Sequence, residues 1–355
     1  MHEEALISYL RSVYEGAGFR SYKMRKFEEY SLYLENRDFL LSDFVITFSD
    51  MSGRLLALKP DVTLSIVKGS RATKEKSEKL HYLENVYRPD ARTHEYREIR
   101  QMGLEALGDI DDVQTLEICI LALKSLLCVN KDGVMDISHM GYLGALLKGT
   151  DGSKRADILS ALRGKSVWAL DAALKDASLS GKNADALRGI LALPGDFASG
   201  LLTLSNLSDD EECKKAVSEL QSLYEGLSEM GYGKNVRLDF SIANDLNYYT
   251  GIVFQGYVPG AHRAVLSGGR YDGLTEKFRR GVGAMGFALY LNDLNAQNAS
   301  KKEADAIIVY EEGASAVQIM KKAQELREKG LVVAVEKMGA DISGYAICVE
   351  VKKEC

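Results

Sequence analysis

The chain has 355 residues, more than one ordinary hydrophobic core takes up, so two domains are expected. Hydrophobic residues make up 46% and charged residues 27%, the balance of a globular protein, which excludes disorder over most of the length. Lys and Arg total 45 against 51 Asp and Glu, and a net charge of -6 argues against nucleic-acid binding through bulk charge, leaving only a local basic patch open.

Residues 3–16 read as a helix, with Leu6, Leu10 and Val13 on one face and Gly16 and Gly18 ending the run. Residues 43–58 read as a hairpin around the turn Asp50-Met51-Ser52-Gly53. Pro60 closes its second strand, and a short helix starts near Val62. Strands are expected at 81–87 and 96–106, separated by a polar loop from Arg88 to Glu95. A helix follows from Asp112 to Leu127, striped by Leu116, Ile120, Leu123 and Leu127, with acids at its N-terminus. From about 141 to 232 helical stripes replace strand signals, which predicts an all-helical insertion. Strands return at 235–240, 246–258 and 261–267, and the glycine-rich stretch Ser267 to Gly273 reads as a turn. Gln297 to Glu303 is a polar linker, followed by a strand–helix–strand–strand unit over 300–355. The predicted architecture is therefore α+β: an antiparallel sheet with flanking helices over 1–299, split by the insertion, and a small C-terminal α/β unit.

No apolar run approaches the ~20 residues of a membrane helix, and the acidic N-terminus lacks a signal-peptide core, so a cytoplasmic protein is expected. The five cysteines are odd in number and widely spaced, which argues against disulfides and zinc. Cys119 and Cys128 read as core, and Cys355 as an exposed thiol. His81, His94, His139 and His262 show no metal-ligand spacing and read as surface or structural.

Several strings carry possible chemistry. Gly281-Val282-Gly283-Ala284-Met285-Gly286 fits a dinucleotide fingerprint, but charged residues precede it and no βαβ unit encloses it, so close backbone packing is the better account. Asp61 and Thr63, just after a strand, suit either an ammonium group or the capping of a helix. Gln101, Gly103 and Glu105 alternate onto one strand face, with Gly103 leaving room between two polar groups; the other reading is a solvated face. Tyr248 and Tyr249 would fall on opposite strand faces, one toward a pocket and one toward the core.

Taken together and in order, these strings resemble the catalytic domain of class II histidyl-tRNA synthetases over about residues 3–295, interrupted by the insertion. The matching segments are RKFEEYSLYL (25–34), SDMSGRLLALKPDVTLSIV (49–67), NVYRPDARTHEYREIRQMGLEALG (85–108), NDLNYYTGIVF (244–254), SGGRYDGL (267–274) and VGAMGFALYL (282–291). The departures concern activation. Asn244 stands where the synthetases carry the arginine of R-G-L-D-Y-Y, and Asp293 where they carry the arginine of G-L-E-R-L. Tyr87-Arg88-Pro89-Asp90 replaces F-R-x-E and keeps one arginine. Arg25 replaces the motif 1 proline near the family's dimer interface. Losing one preorganised electrostatic donor typically costs about 3–4 kcal/mol in the transition state, and Asp293 would in addition repel a phosphate. Residues 300–355 hold nine Lys and Arg against ten Asp and Glu, with no net basic face for tRNA.

A histidyl-tRNA synthetase fold without its activation arginines resembles the regulatory subunits of ATP phosphoribosyltransferase. The resemblance implies a non-catalytic partner of the short catalytic subunit in the first step of histidine biosynthesis, with feedback inhibition by histidine. It implies a homodimer or larger hetero-oligomer, no cofactor, no metal and no tRNA. Mapped from the family, Asp61, Thr63 and Gln101 face the amino group of free L-histidine. Glu105 and Tyr249 face the imidazole, Arg88 the carboxylate, and Tyr248 and Tyr271 line the pocket. The alternatives are an active histidyl-tRNA synthetase and a synthetase-like histidine sensor for another partner.

Overall fold

The computed structural model describes residues 3–37, 45–89, 93, 95–242, 248–278, 281–292, 294, 304–342 and 345–353. Two compact units divide the chain, residues 1–295 and 296–355. The expected boundary at 299/300 and the linker from Gln297 to Glu303 lie outside the described residues, as do Asp90, His94, Asn244, Asp293 and Cys355.

The first unit opens with α1 (Glu3–Gly16), which buries Leu6, Ile7, Leu10 and Tyr14. Then come β1 (Arg20–Ser21), β2 (Phe27–Glu29), α2 (Tyr30–Leu34), β3 (Thr47–Ser49), β4 (Leu55–Leu58) and α3 (Thr63–Gly69). The hairpin of β3 and β4 turns on Asp50, whose carboxylate accepts from the backbone N–H groups of Ser52 and Arg54 at 2.8 and 2.9 Å. Gly53 completes the turn at φ +81°.

Next are the long strands β5 (Glu78–Pro89) and β6 (Tyr96–Gly108), and α4 (Asp112–Val129). The expected capping at the start of α4 is a full capping box. Asp111 accepts from the N–H groups of Val113 and Gln114, and the Gln114 side chain accepts from the Asp111 N–H. β7 (Val134–His139) follows. The predicted helical insertion is α5 (Met140–Leu146), α6 (Gly152–Arg163), α7 (Val167–Asp176), α8 (Lys182–Leu191), α9 (Phe197–Ser205) and α10 (Glu211–Glu229). Ser166, Asp196 and Asp210 cap α7, α9 and α10 with their side chains. The insertion shares one hydrophobic core with α1, α4 and the sheet. Burial joins it to the body rather than leaving it as a separate domain.

The chain then returns through β8 (Val236–Leu238), β9 (Ile252–Tyr257), β10 (Leu266–Arg270), α11 (Asp272–Lys277) and β11 (Gly283–Tyr290). Among the described residues the main sheet has eight strands in the order β1-β5-β6-β11-β10-β9-β7-β8. It is antiparallel except at its rims, where β1 joins β5 and β7 joins β8 in parallel. A separate three-stranded sheet has the order β2-β4-β3.

Three expectations change. The stretch Ser267 to Arg270, read as a turn, belongs to β10, and the strand expected at 261–267 starts at Leu266 instead. A Cβ on Gly268 would lie 2.4 Å from the Gly286 carbonyl oxygen, so the glycines permit close strand contact rather than reversal. Tyr248 and Tyr249 precede β9 and do not alternate across a strand. β7, unanticipated, buries Met135 and Ile137 on one side and Asp136 and Ser138 on the other.

The second unit contains β12 (Ala306–Tyr310), α12 (Ala316–Glu328), β13 (Val333–Lys337) and β14 (Ile347–Val351), the expected strand–helix–strand–strand order. Its strands run parallel in the order β13-β12-β14. Ala306, Ile308, Ile319, Ala323, Val333 and Val351 form its core.

Candidate functional site

β6 supplies the floor of the site. Its antiparallel pairing with β5 and β11 sets Gln101, Gly103 and Glu105 in alternation, and Gln101 and Glu105 are buried. The loop from β4 into α3 brings Asp61 and Thr63, the end of β5 brings Arg88, and the segment before β9 brings Tyr248 and Tyr249. Tyr271 arrives between β10 and α11. All eight sequence-predicted residues line one pocket with about 60 Å³ of free space.

Glu105 is the centre of its electrostatics. One carboxylate oxygen accepts from the Thr63 hydroxyl at 2.8 Å, and the other accepts from the Tyr271 hydroxyl. Burial pushes its carboxyl up to about 8; the two hydroxyl bonds oppose that rise and the nearby Asp61 charge adds to it. Only glycine fits across the strand pair, because a Cβ on Gly286 would lie 1.8 Å from a Glu105 carboxylate oxygen. The fingerprint-like glycine string therefore ends on a residue that makes room for this carboxylate, as the packing account holds.

Asp61 follows its helix-start reading and is also paired within the protein. One oxygen accepts from the Leu64 N–H at 2.8 Å in the first turn of α3, and the other meets Arg88 Nη2 at 3.3 Å. Arg88 Nε also donates to the Pro60 carbonyl at 2.6 Å. Asp61 thus orients the pocket's arginine. Burial raises its carboxyl while the Arg88 charge pulls it back.

Two site expectations are corrected. Gly103 does not leave open floor. A Cβ there would meet the Phe287 carbonyl oxygen at 2.1 Å and the Tyr82 hydroxyl at 2.7 Å, so the Tyr82 ring end already covers it. Tyr248 and Tyr249 both line the pocket, their rings meeting edge to face with centroids 4.6 Å apart. Tyr82, Ser267 and Tyr290 also line it and escaped sequence reasoning, since their placement depends on strand register rather than on a local string.

Elsewhere, His139 is structural: its Nε2 lies 2.9 Å from Glu219, and its Nδ1 accepts from the Tyr142 N–H at the start of α5. Cys119 is buried and Cys128 half-buried. A larger cleft of about 390 Å³ lies between α4 and α10 over Ile252, Arg270 and Met285 and contains none of the predicted residues. Among the described residues, no group of three or more His, Cys, Asp or Glu could hold a metal, and no helix is long and apolar enough to cross a membrane.

The sheet and its pocket define a histidyl-tRNA synthetase-like protein, and the family model described as histidyl-tRNA synthetase matches residues 1–294. A curated ATP phosphoribosyltransferase regulatory subunit of Symbiobacterium thermophilum is 31% identical over 316 residues, covering 84% of this chain and 78% of that protein. A crystal structure described as an ATP phosphoribosyltransferase regulatory subunit/histidyl-tRNA synthetase from Bacillus halodurans aligns with a TM-score of 0.76 at 25% identity, covering 99% of this chain and 94% of that one. A chain of the ATP phosphoribosyl transferase (HisG:HisZ) complex from Thermotoga maritima shares the fold, with a TM-score of 0.64 at 18% identity, covering 82% of this chain and 98% of that one. The chain belongs to the ATP phosphoribosyltransferase regulatory subunits, within the histidyl-tRNA synthetase family.

Proposed function

We propose that this chain assembles with the short catalytic subunit of ATP phosphoribosyltransferase, enables its reaction, and holds free L-histidine in the Glu105 pocket as a feedback signal. It carries no phosphoribosyl-transfer chemistry and takes no tRNA. The carrying observation is Glu105 itself: a buried carboxyl held by Thr63 and Tyr271 between aromatic walls, suited to pair with an imidazole ring nitrogen. Gln101 and Asp61 suit the ammonium group of a zwitterion, and Arg88 its carboxylate. Side-chain recognition survives the loss of the activation arginines at Asn244 and Asp293, so binding outlives adenylate formation.

Self-association fits the three-stranded sheet. Phe27 and Phe48 are 46% and 39% exposed, and their rings meet edge to face at 5.5 Å, an apolar face suited to a second copy. Calorimetry of the chain with L-histidine and with L-leucine, alone and with the catalytic subunit, tests the ligand. Heat with histidine only is expected; none with either would remove the feedback signal from this chain.

A further inference from the structure

The larger cleft lies outside the histidine pocket. Its 390 Å³ or so opens between α4 and α10 over Leu116, Leu223, Ile252 and Met285, and the last three of these are buried. A second cleft of about 280 Å³ adjoins it at Glu219 and Arg270 and continues along α10 to Glu212. Together they form a trench lined by α10 from Glu212 to Glu229, about 25 Å at 1.5 Å per residue. That length suits a polypeptide segment rather than a small molecule. On the α4 wall Val113 is 72% exposed, an apolar side chain that an occupant would cover.

Charge decides the kind of segment. Asp112, Glu225 and Glu229 line the first cleft and form no ion pair among the described residues. The cation in its lining, Arg270, is bound to Asp272 at 2.8 Å. Glu219 is held by His139 at 2.9 Å and Lys215 at 3.9 Å, and Glu212 by Lys148 at 3.1 Å. An apolar floor between unpaired carboxylates complements a segment with apolar side chains on one face and Lys or Arg at its flanks.

We propose that this trench is the docking surface for a basic, amphipathic segment of the catalytic subunit. The proposal rests on the assembly in the reading above. Continuity with the histidine pocket favours this partner. Met285 lines the trench and its neighbour Gly286 the pocket, on opposite faces of β11; Arg270 lines the trench and its neighbour Tyr271 holds Glu105. A subunit seated in the trench therefore rests on the strands that carry the feedback signal.

The test uses the full chain with the catalytic subunit. Glu225→Lys with Glu229→Lys reverses the α10 wall, and Val113→Lys charges the α4 wall. Glu325→Lys with Glu328→Lys, on α12, makes the same change of charge in the other unit. Lysines at the C-terminal end of α10 suit its dipole, so the first variant should keep the wild-type melting temperature. Association is measured by calorimetry and by size, at low and high salt. Both trench variants are expected to bind the catalytic subunit about tenfold more weakly or worse. Wild-type affinity is expected to fall with salt more steeply than that of the α10 variant. Histidine affinity of the isolated variants stays at the wild-type value, since none of the substituted residues lines the histidine pocket. Trench variants that bind the catalytic subunit as wild type does overturn the proposal and leave the assembly standing. Equal weakening by the α12 variant also overturns it, because net charge would then account for the effect. A wild type that forms no complex with the catalytic subunit removes the assembly and the proposal together.

Discussion

Replacing Glu105 with glutamine removes a titrating group while keeping its outline. In the folded protein this carboxyl rises from 4.5 to about 8, chiefly through burial. The sign follows from proton binding. Below pH 4.5 both folded and unfolded chains hold the proton, and Glu105 makes no pH-dependent difference. Between pH 4.5 and 8 the folded chain keeps the proton while the unfolded chain loses it, so stability falls as pH rises. At about 1.4 kcal/mol per pH unit, the full loss has a ceiling of about 5 kcal/mol above pH 8. Glutamine avoids that loss: its carbonyl accepts from one of the Thr63 and Tyr271 hydroxyls, and its amide donates to the other's oxygen. Part of the gain is lost to weaker neutral hydrogen bonds, leaving about 1–3 kcal/mol, or roughly 2–6 °C for a unit of this size. Thermal unfolding of wild type and Glu105→Gln at pH 5 and pH 8.5 reads this directly. The variant should gain on wild type as pH rises, and it should lose most of the histidine-dependent shift. A variant whose difference from wild type is the same at both pH values would refute the assigned titration.

Lys59 is fully buried and ion-paired with Glu84, which also accepts from the Met24 N–H at 2.9 Å; Lys59→Met should therefore cost about 3–5 kcal/mol in chemical denaturation, and adding Glu84→Gln should recover most of it. Gly286→Ala should abolish histidine binding in calorimetry and cost about 1–3 kcal/mol in denaturation, because its methyl would meet the Glu105 carboxylate. Histidine-dependent exchange between ATP and pyrophosphate should be absent, and arginine at both 244 and 293 should restore little of it without a surrounding preorganised shell; exchange at a synthetase rate would contradict the non-catalytic reading.

The site was largely legible because β6 is long and paired on both sides. Gln101 and Glu105 could be set on one face from alternation alone, and the family strings supplied Asp61, Thr63, Arg88 and Tyr271. Register is what a single string does not carry. Tyr82 covers Gly103 only because β5 pairs with β6 at that position, so the glycine looked like empty floor. Ser267 to Arg270 looked like a turn because paired glycines punctuate loops far more often than they let two strands approach. β7 was missed because six residues of alternation just before a helical run are a weak signal beside the stripes that follow.

Reconstitution with the catalytic subunit decides whether this chain is regulatory. The short catalytic subunit is assayed for ATP phosphoribosyltransferase activity with and without this chain, and then over a range of L-histidine with wild type and with Glu105→Gln. Activity should depend on this chain, and the two subunits should form a complex larger than either part. Histidine should inhibit the wild-type complex, and the Glu105→Gln complex should need much more of it. Activity indifferent to this chain would contradict the regulatory role, and equal inhibition of both complexes would place the histidine signal on the partner.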